Sequence, residues 1–387
     1  MKSLAARMNR IAPFHVMQVM GRARELEAQG RSIIHMEIGE PDFPTARGIV
    51  HAGMSALEAG RTHYTPALGL PELRARIASS YPAGARTDPG RIVVTPGASG
   101  ALQLVFGTLI DPGDEVIMAD PGYPCNRHFV RLFGGEARLV PVDQSTGYQL
   151  TAELIRRHWT SRTRAVLLAS PSNPTGSIVS PATMAEIVDT TLRLGGWPIV
   201  DEIYLGLTYD GEAVSALEHS DQVFVVNSFS KYFGMTGWRI GWLVAPRDCI
   251  PQLERLAQNV FLAASTPGQY AALAAFEADV DAELVRRRDI FRQRRDYLLP
   301  ALRGLGFVIR AQPQGAFYVY ADCSRFSSDS GAFAMDLLEN AGVAITPGLD
   351  FGEHRPLLHV RFSYANTTEN LREGVRRIGR HLGVDPG

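Results

Sequence analysis

Short apolar runs, each closed by turn-forming residues, recur through the first two-thirds of this chain and alternate with stretches of helical period. The runs cover 91–95, 115–119, 137–142, 165–169, 198–200, 223–227 and 241–244. Runs that short and that continuously apolar predict strands buried on both faces. Helical patterning at 99–109, 151–157 and 181–194 lies between them. Strands alternating with helices predict an α/β fold with a mostly parallel sheet flanked by helices. At 387 residues the chain exceeds one small core. The expected division is a large domain over 45–285 and a smaller α+β domain built from 1–44 and 286–387. In the smaller one, a long helix should lead to Gly304-Leu305-Gly306. A strand pair around Gly315–Tyr320, a helix near Gly331–Asn340 and a strand over His359–Ser363 should follow.

Sheets of this kind bind ligands beyond the carboxyl ends of their strands. Polar, turn-forming residues gather there: Pro96–Ser99, Asp120–Pro124, Ser170–Pro174, Asp201-Glu202 and Ser228–Lys231. Their convergence marks a site more firmly than any single run does.

Several functions are excluded early. The net charge is -1, so no global field draws nucleic acid or an anionic membrane. Arg286, Arg287, Arg288, Arg292, Arg294 and Arg295 are interleaved with acids and read as a solvated helix face. Cys125, Cys249 and Cys323 are far apart, without a CxxC, and the ten histidines form no HxxxH or HExxH pair. No metal site is expected, and the cysteine usage fits a reducing compartment. No apolar run reaches the 18 or so residues of a membrane span. The basic N-terminus is broken by Pro13 and lacks a leader's smooth apolar core, so the expected location is cytoplasmic.

The chain contains only two lysines, Lys2 and Lys231, against a Lys+Arg total of 39. Wherever a cation is needed only as a cation, arginine supplies it. A guanidinium stays protonated in proteins, whereas a lysine amine can act as nucleophile or base. Lys231 follows a strand end and the hydroxyls of Ser228 and Ser230, and precedes Arg239 by eight residues. Hydroxyl and guanidinium donors suit a phosphate, and positive surroundings lower an amine's pKa. Together they describe a phosphate-bearing aldehyde held by an imine.

Other positions stay open on local grounds. Asp201, at the end of an apolar run, reads either as a helix cap or as the acid that keeps a pyridine nitrogen protonated. Pro96–Ser99 precedes a helix and can bind phosphate through its amides, or simply cap it. Tyr123 can stack on a planar ring or be an ordinary turn aromatic.

Taken together, IGEPDF (38–43), YTPALGLPELR (64–74), TPGAS (95–99), DPGYP (120–124), SPSNPTG (170–176), VDEIY (200–204), SFSKYFGMTGWRIGW (228–242), PQGAFY (313–318) and VRFS (360–363) resemble the class I/II aminotransferases. These are fold-type I pyridoxal 5'-phosphate (PLP) enzymes related to aspartate aminotransferase. The motifs occur in that family's order over nearly the whole chain.

The resemblance implies a role for each matching position. Lys231 is similar to the lysine that carries the cofactor and moves the proton. Asp201 resembles the partner of the pyridine nitrogen. Asn173 and Tyr204 resemble the hydrogen-bonders of the ring hydroxyl, and Tyr123 the stacking aromatic. Ala98, Ser99, Ser228 and Arg239, with Ser230 beside them, resemble the phosphate ligands. Tyr64 resembles a tyrosine that reaches the neighbouring subunit's phosphate, implying a homodimer with composite active sites. Arg361 resembles the clamp on the substrate α-carboxylate, with the Gly39 backbone and Asn173 near the same group.

The implied reaction is ping-pong transfer of an amino group from an L-amino acid to a 2-oxo acid. Ala12–Met17 is apolar where relatives acting on acidic substrates carry hydroxyls, and Asn126 stands at a position often aromatic. Both point to a neutral or apolar donor. A PLP lyase or synthase would use the same Lys231 and Asp201. A non-catalytic PLP-sensing module would need a DNA-binding domain, for which there is no room ahead of Ile38.

Overall fold

A computed structural model describes residues 4–211 and 213–384; Lys2 lies outside them. The strands are β1 (Ile34–His35), β2 (Ile92–Thr95), β3 (Glu115–Asp120), β4 (Glu136–Pro141), β5 (Thr163–Ala169), β6 (Trp197–Asp201), β7 (Phe224–Ser228), β8 (Gly241–Val244), β9 (Tyr318–Asp322), β10 (Val343–Ala344), β11 (Thr346–Pro347) and β12 (His359–Ser363). All seven apolar runs are strands. They form one sheet in the order β2-β8-β7-β6-β5-β3-β4. Only β8 runs against its neighbours, pairing antiparallel with β2 and β7.

Side chains alternate across this sheet. Val94, Ile117, Val166, Val200, Val225 and Val244 pack into one apolar cluster. Val93, Val116, Leu167, Ile199, Phe224, Val226 and Leu243 pack into another on the opposite face. Helices cover both sides, so the inner strands are apolar at successive positions; the edge strand β4, which carries Arg138 and ends on an exposed Pro141, is only half-buried, contrary to the expectation for that run. Burying one such side chain stabilises by about 1.5–3 kcal/mol. Helix starts follow local chemistry: Thr151 Oγ1 accepts from Leu154 N at 3.2 Å and Ser180 Oγ from Thr183 N at 3.2 Å.

A second sheet, β11-β12-β9, is antiparallel and packs on its own apolar cluster with the helices Ala278–Leu305 and Thr368–Leu382. The N-terminal segment joins this part, because Ile34 pairs with Val343 and His35 with Ala344. The helix Ala278–Leu305 runs unbroken through residue 285 and touches both parts of the molecule.

Two expectations are corrected. The strand pair is not local to Gly315–Tyr320: Tyr318–Asp322 pairs with His359–Ser363, while Gly315 makes only an isolated bridge to Thr208. The arginine-rich helix face is also not uniformly solvated. Arg294 and Arg295 are buried. Arg294 donates to both carboxylate oxygens of Asp42 at 2.7 and 2.9 Å, with its guanidinium 5.0 Å from the Phe43 ring centroid. Arg295 binds Asp210, Asp296 and the Pro313 carbonyl. The partners Asp42 and Asp210 are remote in sequence, so a charge count along the helix could not reveal them.

Candidate active site

The carboxyl ends of β2, β5, β6 and β7 open onto a cavity of about 410 Å³ that is closed from the other side by β9, β12 and the N-terminal segment. Lys231 lines it, and its Nζ donates to the Gly39 carbonyl at 2.6 Å. Burial lowers this amine to about 8; Glu40 and Asp201 oppose the shift, and Arg361 and Arg239 reinforce it. Asp201 ends β6. Burial raises its carboxyl to about 6, against the pull of the Ile203 N–H, which donates to Oδ1 at 3.1 Å, and of Lys231. A buried acid and a buried amine with pKa values drawn toward each other mark reaction chemistry.

The phosphate end is built by close backbone approach. Gly97 opens the helix Gly97–Leu109 at φ +71, a left-handed conformation that glycine adopts freely. A Cβ there would stand 2.4 Å from Arg239 Nη2. Ala98, Ser99, Ser230 and Arg239 all line this end of the cavity. Arg239 Nη1 donates to the Thr236 carbonyl at 3.1 Å and lies 3.4 Å from Ser230 Oγ. A helix N-terminus, a hydroxyl and a guanidinium form a donor set that suits a phosphate monoester.

Arg361, on β12, is 4% exposed. Its Nη1 donates to Asn173 Oδ1 at 3.0 Å, and its Nη2 to the Glu37 carbonyl at 2.6 Å and Thr346 Oγ1 at 3.2 Å. Its guanidinium lies 4.2 Å from the Tyr318 ring centroid. Nε is buried without a partner, so a donor remains for a carboxylate. At Gly39 a Cβ would meet Tyr318 Oη at 2.8 Å, so this glycine leaves room at the same spot. Tyr204 and Tyr318 share a hydrogen bond of 2.8 Å, and burial pushes both phenols up.

The remaining wall is the helix His15–Ala28 with Phe14 before it. Val16, Met20 and Arg24, one turn apart, line the cavity together with Met17. This helix carries no side-chain cap of its own. Asp350 supplies one, accepting from His15 N at 2.8 Å and Val16 N at 2.9 Å.

Eleven of the positions anticipated from sequence meet in this cavity: Gly39, Ala98, Ser99, Tyr123, Asn173, Asp201, Tyr204, Ser230, Lys231, Arg239 and Arg361. Ser228 does not line it. Its hydroxyl lies behind Ser230, 2.9 Å from Ser230 Oγ and 3.0 Å from the Ile240 carbonyl. Tyr64 is 83% exposed and outside the cavity of its own chain. Asn126 is not among the residues lining this cavity; it lines a small adjoining cleft that shares Tyr123 and Asn173 with it. Tyr318, Glu40, Thr236 and Arg24 were not singled out beforehand. Tyr318 closes the GAFY run and had a visible signal; Arg24 had none.

The donor set fits PLP. Lys231 would hold the aldehyde carbon, Asp201 the ring nitrogen, Asn173 and Tyr204 the ring hydroxyl, and Ala98, Ser99, Ser230 and Arg239 the phosphate. Among the described residues no cluster of His, Cys, Asp or Glu could hold a metal. The three cysteines are unpaired, and among the described residues no helix is long and apolar enough to cross a membrane.

Comparison with known proteins agrees with this geometry. The family model for aminotransferase class I and II matches residues 31–378. The chain is 37% identical over 384 residues to the (5-formylfuran-3-yl)methyl phosphate transaminase of Methanocaldococcus jannaschii, covering 98% of this chain and 99% of that enzyme. It is 38% identical over 380 residues to the valine–pyruvate aminotransferase of Mycobacterium tuberculosis, covering 96% and 97%. A solved aminotransferase from Mycobacterium tuberculosis superposes with a TM-score of 0.96 at 37% identity, over 99% of this chain and 100% of that one. Thermus thermophilus aspartate aminotransferase with maleate superposes at 0.92 and 35% identity, over 98% and 100%.

Proposed function

The chain belongs to the class I and II aminotransferases, which are PLP-dependent transaminases, and on that premise we propose that it transfers the amino group of a neutral or apolar L-amino acid to a 2-oxo acid, with Lys231 as the catalytic lysine. The observation that carries this is Lys231 Nζ itself. It is the single lysine amine in the cavity, with a pKa drawn down to about 8 by burial, between the buried Asp201 and the buried Arg361.

Bound PLP supplies an electron sink that makes a proton on the substrate α-carbon removable. The chain's own residues do the rest. Arg361, through its free donors, and the Gly39 backbone bind the α-carboxylate and orient the α-carbon toward Nζ. Asn173 ties that clamp to the ring. With PLP bound, Lys231 Nζ would be the base that takes the α-proton and the acid that gives it back, a transfer that a pKa near operating pH favours. Asp201 would carry the charge that keeps the ring nitrogen protonated, and Tyr123 would stack on the ring. The helix His15–Ala28 and Tyr318 exclude water.

Phe14, Val16, Met17 and Met20 make the substrate end apolar, which supports a neutral or apolar donor. The exposure of Tyr64 supports a homodimer in which this tyrosine completes the neighbouring phosphate site.

The test is a half-reaction: holoenzyme is mixed with one L-amino acid at a time, without a 2-oxo acid, while the visible cofactor band is followed. Conversion to the amine form of the cofactor by valine, alanine or an aromatic amino acid is expected. Conversion by aspartate alone would overturn the neutral-donor reading and turn attention to Arg24 at the rim.

A further inference from the structure

A second cleft, of about 610 Å³, lies on the other side of the strand that carries Tyr123's turn, where Val142–Ser145 and Tyr148 face the small sheet. From that sheet come Tyr320 on β9 and His359 on β12, with Arg310, His354 and Arg355 around them. The two strands therefore serve two sites. On β9, Tyr318 lines the active-site cavity and Tyr320, two residues on, lines this cleft; on β12, Arg361 and His359 divide in the same way. Phe351 stands between, 5.0 Å from the Arg361 guanidinium and 5.9 Å from the Tyr320 ring.

The polar inventory of the cleft is unbalanced. Tyr148 and Tyr320 are 7% and 4% exposed, yet neither hydroxyl has a hydrogen-bond partner among the described residues. His359, also 7% exposed, has Nδ1 at 3.1 Å from the Arg355 carbonyl and its other ring nitrogen unmatched. The acids are already occupied: Asp143 by Ser145 N and Oγ at 2.8 and 2.6 Å, Asp322 by Arg310 at 2.6 Å. The Arg355 guanidinium forms no ion pair among the described residues. Arg355 and Tyr148 are also two of the five non-glycine residues at positive φ among the described residues, at +53 and +59. Backbone held in that region concentrates where side chains are aimed at a ligand; Arg239 at the phosphate end is a third such residue.

The geometry points to a second ligand site here, separate from the active site, that takes a small organic acid. Arg355 receives the carboxylate, and the buried phenols and imidazole take the remaining polar atoms. The unpaired hydroxyls and ring nitrogen of these largely buried side chains open onto one cleft, an arrangement of converging polar groups that suits a small polar ligand.

The experiment is a calorimetric titration of the holoenzyme after an aminooxy acid has blocked the active-site carbonyl and filled the Arg361 clamp. The probes are benzoate, succinate and inorganic phosphate, each titrated separately. Saturable binding of benzoate or succinate, one per chain, is expected, weakened by about tenfold or more in Arg355→Gly, as loss of one charge-assisted contact implies. Glycine relieves the positive-φ backbone there, so the variant should fold; Tyr148→Phe keeps the ring and gives an independent second reading. Neither variant should change the transamination rate without probe. The proposal is overturned if neither carboxylate binds, if only phosphate does, or if binding survives both substitutions.

Discussion

Asn173 Oδ1 accepts a hydrogen bond of 3.0 Å from Arg361 Nη1, across 188 residues of sequence. The bond joins a side chain from the loop after β5 to one from the middle of β12, so the group proposed for the cofactor ring and the group proposed for the substrate carboxylate are held in one geometry.

Removing that link should damage both functions. Asn173→Ala leaves a buried guanidinium short of one partner, which costs about 1.5–3 kcal/mol for a hydrogen bond to a charged group. The value of kcat/KM for the amino donor should fall by about ten- to a hundredfold, with KM rising and kcat falling together. Steady-state kinetics check this, and an unchanged KM would separate Asn173 from the carboxylate clamp.

The scarcity of lysine makes the cofactor attachment directly readable. Borohydride reduction of the holoenzyme, followed by peptide mass analysis, should place the reduced cofactor on Lys231 and leave Lys2 unmodified. Lys231→Arg should retain folding and lose transamination by a factor of about 10² to 10⁴ or more, since a guanidinium cannot take the proton.

Gly97 should not tolerate a side chain. Gly97→Ala puts an L-residue at φ +71 and a Cβ 2.4 Å from Arg239 Nη2. The backbone conformation alone costs about 1–2 kcal/mol, and Arg239 must move. PLP affinity should drop by about tenfold or more, and the rise in Tm that bound cofactor confers should shrink. Equilibrium dialysis and thermal unfolding with and without PLP test both.

The carbonyl that receives Arg361 Nη2 belongs to Glu37, whose side chain pairs with His35 at 2.7 Å. The Glu37 hydrogen bond, against the opposing cost of burial, raises the His35 imidazole from 6.5 to about 9. A group whose folded pKa lies above its unfolded value stabilises the folded state fully below the unfolded pKa and loses that effect as pH rises through the folded one. The stabilisation from His35 should therefore be complete below pH 6.5 and fade up to about pH 9. His35→Gln should lower Tm at the acid end of that window and converge with the native chain above it. A constant Tm difference across the window would refute the linkage.

Much of this was legible because it rests on local chemistry. Continuous apolar runs are what a strand buried on both faces requires, so the inner strands of the large sheet could be read, and the half-buried edge strand β4 was read from its position in the same alternation. Lys231 stood out because no other interior position needs an amine in place of a guanidinium. These requirements act within a few residues, and the sequence by itself determined them.

Other features depend on which distant segments meet. Arg24 has no local feature distinguishing it from the other arginines; it faces the cavity only because Asp350, more than 300 residues away, caps the helix that carries it. Arg294 and Arg295 read as solvated until Asp42 and Asp210 are brought to them. Ser228 and Ser230 look alike in sequence, yet Ser230 faces the cavity while the Ser228 hydroxyl turns to the Ile240 carbonyl. Tyr320 and His359 turn toward a cleft because β9 and β12 pair in one register. In each case, side chains of ordinary type take their partners from the packing of the two parts of the molecule. Hydrogen bonds and ion pairs are satisfied by proximity in space, which only the tertiary structure decided.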